Sequence, residues 1–281
     1  MKQAVRKTLL VTLLLTLAGC SGTTFVYNRL GFIIPWYVGK YVDLSRDQKK
    51  FLDQQLAPFL DWHRNEELPL YLGVIDEIEQ TLDGEVTAAH IEAIAERFEE
   101  AWLRLEFRSL EWMLALGEEL SREQMNEFVA SLREKQREYE EEYLPRSDEQ
   151  YREEAYENLE DSAQDFLGRL DWGQRSILEE AAAQLQRSDA IWLRERASWL
   201  DRLEQLLQRE QGWQQALLEA LREREQTTSA EYQAVYDHNI QAIYRALAKL
   251  ANSRSEKQDR RLRKELDDLR EDIELLIAKG S

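Results

Sequence analysis

The chain has a single cysteine, Cys20, so no disulfide can close within it and no cysteine-based metal site can assemble. Four prolines and eleven glycines in 281 residues leave few obligatory breaks. With Leu, Ala, Glu, Gln and Arg abundant, that scarcity points to helices, and no stretch alternates in the manner of a strand. Histidine is as sparse. His63, His90 and His238 are far apart and none stands in an HExxH-type pair, so neither a metal nor another cofactor is implied. A GxSxG elbow and a glycine-rich phosphate loop are missing too. Positive charge is in deficit, 37 Lys and Arg against 55 Asp and Glu, a formal net charge of −18. An acidic balance of that size argues against nucleic acid, or anionic lipid, as a partner held through a broad basic patch.

Long apolar runs are also lacking, apart from one at the N-terminus. Lys2, Arg6 and Lys7 precede an apolar run from Leu9 to Leu17, the order of a secretory signal. The run is too short to span a bilayer, which takes about 20 residues. Leu17-Ala18-Gly19-Cys20 then resembles the lipobox of bacterial lipoproteins. The resemblance implies cleavage between Gly19 and Cys20 and lipidation of the Cys20 thiol. Acyl chains stabilised by about 0.8 kcal/mol per buried CH₂ would make that attachment durable. In lipoproteins of two-membrane bacteria, a residue such as Ser21 in place of Asp usually implies the periplasmic face of the outer membrane. Loss of the three leader cations takes the formal charge from −18 to −21. The expected organisation is a signal peptide over 1–19, a lipidated and aromatic-rich segment over 20–43, and an all-helical domain over 44–281 with a candidate subdivision near Pro145.

Helix starts recur as an apolar residue, a capping residue and a Gln three positions on: Leu44-Ser45 with Gln48, Leu120-Ser121 with Gln124, and Leu170-Asp171 with Gln174. The cap oxygen accepts a first-turn N–H while the Gln reaches back to the cap's own N–H. Thr87 with His90 and Thr228 with Glu231 are weaker variants. Apolar residues follow at helical spacing, as in Leu52, Leu56, Phe59 and His63, or Ile91, Ile94, Phe98, Trp102, Leu105 and Trp112. Leu262, Leu266, Leu269, Ile273 and Leu276 close the chain in a coiled-coil-like order, which could build an oligomer. Pro69 suits a helix start after an exposed Asn65-Glu66-Glu67, and Pro145 breaks the helix ending near Leu144. The expectation is an all-α bundle of about nine or ten amphipathic helices.

Phe25 to Val42 differs from the rest, with Phe25, Tyr27, Phe32, Trp36, Tyr37 and Tyr41 interleaved with Gly31, Pro35 and Gly39. Its only charges are Arg29 and Lys40. Aromatics and cations beside a lipidated cysteine would suit a bilayer interface. Large aromatics are costly to leave in water, however, and the glycines and proline interrupt helical register. Phe32, Trp36 and Tyr37 are therefore expected to pack into the helical domain.

Tyr27-Asn28-Arg29-Leu30, Ile34-Pro35-Trp36-Tyr37 and Tyr41-Val42-Asp43-Leu44 resemble the opening of a family of uncharacterised bacterial lipoproteins. The likeness continues through Leu56-Ala57-Pro58 and Trp62-His63-Arg64 to Glu67-Leu68-Pro69. It implies an envelope lipoprotein without an enzyme assignment. The Leu-Ser-x-x-Gln boxes are similar to the Leu-Thr-x-x-Gln boxes of CpxP and Spy, small helical periplasmic proteins that shield unfolded clients or sense envelope damage. His63 reads as a satisfied, half-buried residue of an apolar stripe, and the many carboxylates as solvated helix faces that nominate no catalytic pair. The leading expectation is a non-enzymatic factor binding another envelope protein. The alternatives are a carboxylate-dependent hydrolase or lyase on envelope polymer, for which a desolvated Glu beside a deep cleft would be the mark, and a passive structural lipoprotein.

Overall fold

The computed structural model describes residues 22–279 apart from Glu225; the expected leader, with Gly19 and Cys20, lies outside the described residues. The fold is all-α, and among the described residues none forms a strand. Two short helices, α1 (Gly22–Tyr27) and α2 (Leu30–Val38), joined by a turn at Asn28 and Arg29, form a helix–turn–helix unit, the N-terminal hairpin, whose α1 packs on the last helix of the chain and whose α2 packs on the helix that follows it. Then come α3 (Arg46–Trp62), a π-helical turn (His63–Glu67) and α4 (Leu68–Leu82), which run on without a break. The long α5 (Ala88–Glu119) is followed by α6 (Arg122–Tyr143), α7 (Asp148–Leu167), α8 (Trp172–Gln184) and α9 (Asp189–Leu206). A short α10 (Trp213–Arg222) leads to α11 (Ala230–Asn252) and α12 (Glu256–Ala278).

The capping chemistry read from the sequence is present at Ser45, Thr87, Ser121 and Asp171, each with both reciprocal hydrogen bonds. Thr228 is a correction: the cap of α11 is Ser229, which accepts from the Tyr232 N–H, while the Thr228 hydroxyl donates back to the Arg224 carbonyl. Ser147 with Gln150 and Ser255 with Gln258 complete two further boxes.

Four of the capping glutamines do a second job. Gln48 and Gln124 donate to each other's side-chain oxygens, both at 2.8 Å. Gln48 Nε2 also donates to the Glu119 carbonyl, and Gln124 Nε2 to that of Asp43. Each thus reaches the carbonyl two residues before its partner's cap. The buried Gln174 and Gln258 repeat the pattern, donating to each other at 3.0 and 2.8 Å and to the carbonyls of Ser253 and Arg169. Two helix starts are locked together in each case, the first pair half-buried and the second in a buried site where each amide hydrogen needs such a partner.

Three apolar clusters fill the bundle. The first joins Leu52 and Leu56 of α3, Leu110 and Leu116 of α5, Met125 of α6, Trp199 of α9 and Trp213 of α10. The second sets Leu68, Ile75 and Leu82 of α4 against Leu266, Ile273 and Leu276 of α12. The closing stripe is therefore spent inside the chain and is not a free oligomerisation seam. The third gathers Leu167, Leu170, Leu178 and Leu250.

Pro69 falls in the first turn of α4, as its sequence position suggests, but no loop precedes it. The helix does not restart there; the π turn widens it, with the Leu68 N–H reaching back to the His63 carbonyl. An extra residue in the turn relieves the clash of the proline ring with the carbonyl four residues earlier. The same widening swings Glu67 inward, where it is 1% exposed and not on the surface as its charged neighbours suggested.

Candidate functional site

The two features that depart furthest from sequence expectation adjoin each other: the N-terminal hairpin and the polar cluster behind it at the π turn. Contrary to the irregular backbone expected, Phe25 to Val38 is mostly helical, with Pro35 inside α2 and Gly39 as its C-cap. A helical phase then sorts the aromatics. Ile34 and Val38, four apart, pack onto the first cluster, while Phe32 and Trp36 sit two residues either side of Ile34, on the opposite face. Phe32 is 73% exposed, Trp36 56% and Tyr37 52%, so these three do not pack into the domain. Phe25 and Val26 of α1 are exposed as well. The Arg29 guanidinium carbon lies 3.9 Å over the Phe25 ring centre, and the Lys40 ammonium 3.9 Å over that of Trp36. Each cation of the segment is thereby held against an exposed ring.

The inner side of the hairpin is pinned at specific points. The Thr24 hydroxyl donates to Asp272 Oδ1 of α12 at 2.9 Å, and Asp272 is itself buried. The Tyr27 hydroxyl pairs with His63 Nδ1 at 2.9 Å, and Arg64 Nη2 donates to Asn28 Oδ1 at 3.1 Å. Tyr37 and Tyr41 join hydroxyls at 3.0 Å, while the Tyr41 ring meets Phe128 edge-on. Burial, with the Tyr37 hydroxyl adding to it, pushes the Tyr41 phenol up to about 12.

Behind Tyr27, the rings of Tyr27 and Tyr71 flank His63, whose Nε2 lies 3.4 Å from the Tyr71 hydroxyl. Burial pushes the imidazole down to about 4, against an upward pull from the Glu67 carboxylate. His63 is therefore neutral at pH 7, one nitrogen donating and the other accepting. Tyr71 is pushed up by burial and then by the charge of Glu67. Glu67 in turn takes three hydrogen bonds from Arg104 of α5: Nε to Oε2 at 2.9 Å, Nη2 to Oε1 at 2.7 Å and Nε to Oε1 at 3.2 Å. Glu67 is desolvated, as an acid or base in a cleft would be, but both of its oxygens are committed to the guanidinium. The arrangement serves as a brace from α5 through the π turn to the hairpin.

Elsewhere, a surface cleft of about 260 Å³ is lined by Asp148, Tyr151, Arg152, Gln186, Arg187 and His238. His238 Nε2 is engaged at 2.9 Å by the Gln184 carbonyl, and His90 is the third residue of the α5 capping box. The three histidines thus belong to three separate places. Among the described residues, no three His, Asp or Glu side chains converge as metal ligands would.

Residues 40–233 match the model of a family of unknown function, DUF6279. The chain belongs to this family. No curated protein and no solved structure matches it. An uncharacterised family is what the opening residues implied, and the DUF6279 match takes in the π turn, Glu67, Arg104 and the capping boxes of α3, α5, α6, α7 and α8. The hairpin helices α1 and α2 precede the matched residues. Sequence reasoning missed the brace because its halves, Glu67 and Arg104, are 37 residues apart. A usable signal existed in Pro69, which sits where a helix must open.

Proposed function

We propose that this DUF6279 protein is an envelope lipoprotein, lipidated at Cys20 after cleavage of residues 1–19 and held at the periplasmic face of the outer membrane. Its helical domain binds another envelope protein as a chaperone-like or assembly accessory factor, without a catalytic role of its own. The observation that carries this reading is the hairpin. In a chain of formal charge −18, the residues directly after Cys20 expose Phe25, Val26, Phe32, Trp36 and Tyr37 and carry two cations, with no acid before Asp43. Such a segment suits the end of the molecule nearest a membrane. The protein-binding half of the reading draws on Trp172, 84% exposed at the start of α8, since a large aromatic in solvent is a frequent anchor of protein interfaces.

Cys20→Ala is expected to abolish lipid attachment, leaving either uncleaved precursor or protein free of membrane. Mass spectrometry of the native N-terminus checks it: the mature chain should begin at a diacylated or triacylated Cys20, and any other start overturns the anchor. Crosslinking in intact envelopes tests the partner. One defined crosslinked protein is expected, its yield falling several-fold in Trp172→Ala; a yield unaffected by the substitution removes Trp172 from the interface.

A further inference from the structure

The hairpin offers more than a position near the lipid. We propose that the outer face of α1–α2, formed by Phe25, Phe32, Trp36 and Tyr37 with Arg29 and Lys40, is a second membrane contact that lies in the headgroup region of the phospholipid bilayer. This rests on the reading of Cys20 as the lipid anchor, which would deliver the face to the bilayer surface from two residues before α1.

Depth follows from length. α2 has nine residues and α1 six, so α2 covers about 13 Å at 1.5 Å per residue, against about 30 Å of hydrocarbon. No described helix is long and apolar enough to cross a membrane. α2 is apolar on both faces, with Ile34 and Val38 spent on the domain, so its outer aromatics can enter the interface while the helix is too short to span.

Chemistry selects the occupant. Aromatic rings favour the headgroup level, where an apolar body meets water at one edge. Arg29 and Lys40 stand 3.9 Å above the rings of Phe25 and Trp36. A phosphate approaching the face therefore meets a cation beside two of its rings, Phe25 and Trp36. The segment is the one stretch of the N-terminal region that runs from Cys20 to Val42 without an acidic residue in a chain carrying 55 of them. That local reversal of charge complements phosphate oxygens. The inner pins, Thr24 to Asp272, Tyr27 to His63 and Asn28 to Arg64, hold the face as a fixed part of the domain. The bilayer would then set the orientation of the whole bundle, where an acyl anchor alone would leave it to swing.

The test uses full-length protein purified from membranes and reconstituted in phosphatidylcholine–phosphatidylglycerol vesicles whose acyl chains carry bromine close to the headgroups. Trp36 is one of eight tryptophans, so the readout is a difference between wild type and Trp36→Phe, a change at an exposed position that keeps an aromatic ring. Bromine-dependent quenching of tryptophan emission is expected in the wild type, and Trp36→Phe should lose most of it with the helical circular dichroism signal unchanged. Vesicle-bound protein with the same quenching in both forms overturns the contact while leaving the anchor in place. Failure of the protein to float with the vesicles also overturns it, and the mass of Cys20 then tells whether the anchor fails with it.

Discussion

Arg104→Met is expected to lower the unfolding free energy by about 3–5 kcal/mol, read from the shift of the urea midpoint at neutral pH. The magnitude comes from Glu67. Its carboxylate is 1% exposed and takes its charge-paired hydrogen bonds from Arg104. Removing the guanidinium leaves a buried group without its counter-charge, beside the Tyr71 hydroxyl and an imidazole that burial keeps neutral. A control separates that penalty from simple loss of packing. Glu67→Leu combined with Arg104→Met removes both charges and leaves apolar chains of similar volume, so the double variant should recover most of the stability lost by the single one. If Arg104→Met costs less than about 1 kcal/mol, water replaces the guanidinium and the brace is not what holds the π turn.

What could be read from the sequence, and what could not, divides by the distance over which each feature is decided. The caps at Ser45, Ser121 and Asp171 were legible because both of their hydrogen bonds close within four residues. The pairing of those boxes was not, because Gln48 meets Gln124 across 76 residues and Gln174 meets Gln258 across 84. Nothing in a local window says that an amide already employed at a cap has a second hydrogen free for a distant carbonyl. The closing Leu stripe shows the same limit. Its period gave a helix correctly, while its partner, α4 and not a second chain, was a tertiary fact.

The exposed aromatic face is hidden in the sequence for a more specific reason. Read as breaks, Gly31, Pro35 and Gly39 remove the helical phase and leave only the rule that large aromatics seek burial. Pro35 is the sixth residue of α2, where its missing N–H costs a single hydrogen bond to Gly31, and Gly39 does no more than end the helix. Once the phase is restored, Ile34 and Val38 already fill the inward face, and Phe32 and Trp36 have nowhere to go but outward. Glu67 is the converse case. In the run Arg64-Asn65-Glu66-Glu67 it looks solvated, and only the five-residue turn that accommodates Pro69 rotates it to the core.

The pH dependence of stability should expose the ring that joins the hairpin to this brace. The folded chain holds His63 near 4, with burial as the larger cause, while in the unfolded chain it titrates at the ordinary 6.5. Above 6.5 both states carry a neutral ring and His63 contributes no slope. Below it the unfolded chain binds a proton that the folded chain refuses, so stability falls with pH until the folded ring also titrates. Between pH 7 and pH 5 the loss assigned to this one group is about 2 kcal/mol. Most carboxylates titrate below that window, which makes a comparison with His63→Gln decisive. The variant should be less stable than the wild type at pH 7, having lost the Tyr27 hydrogen bond at 2.9 Å, yet its urea midpoint should decline less between pH 7 and pH 5. The two curves should therefore converge toward pH 5. Parallel curves would mean that His63 takes up its proton in the folded chain as readily as in the unfolded one, and that Tyr27 is pinned by an accessible ring and not by a buried neutral one.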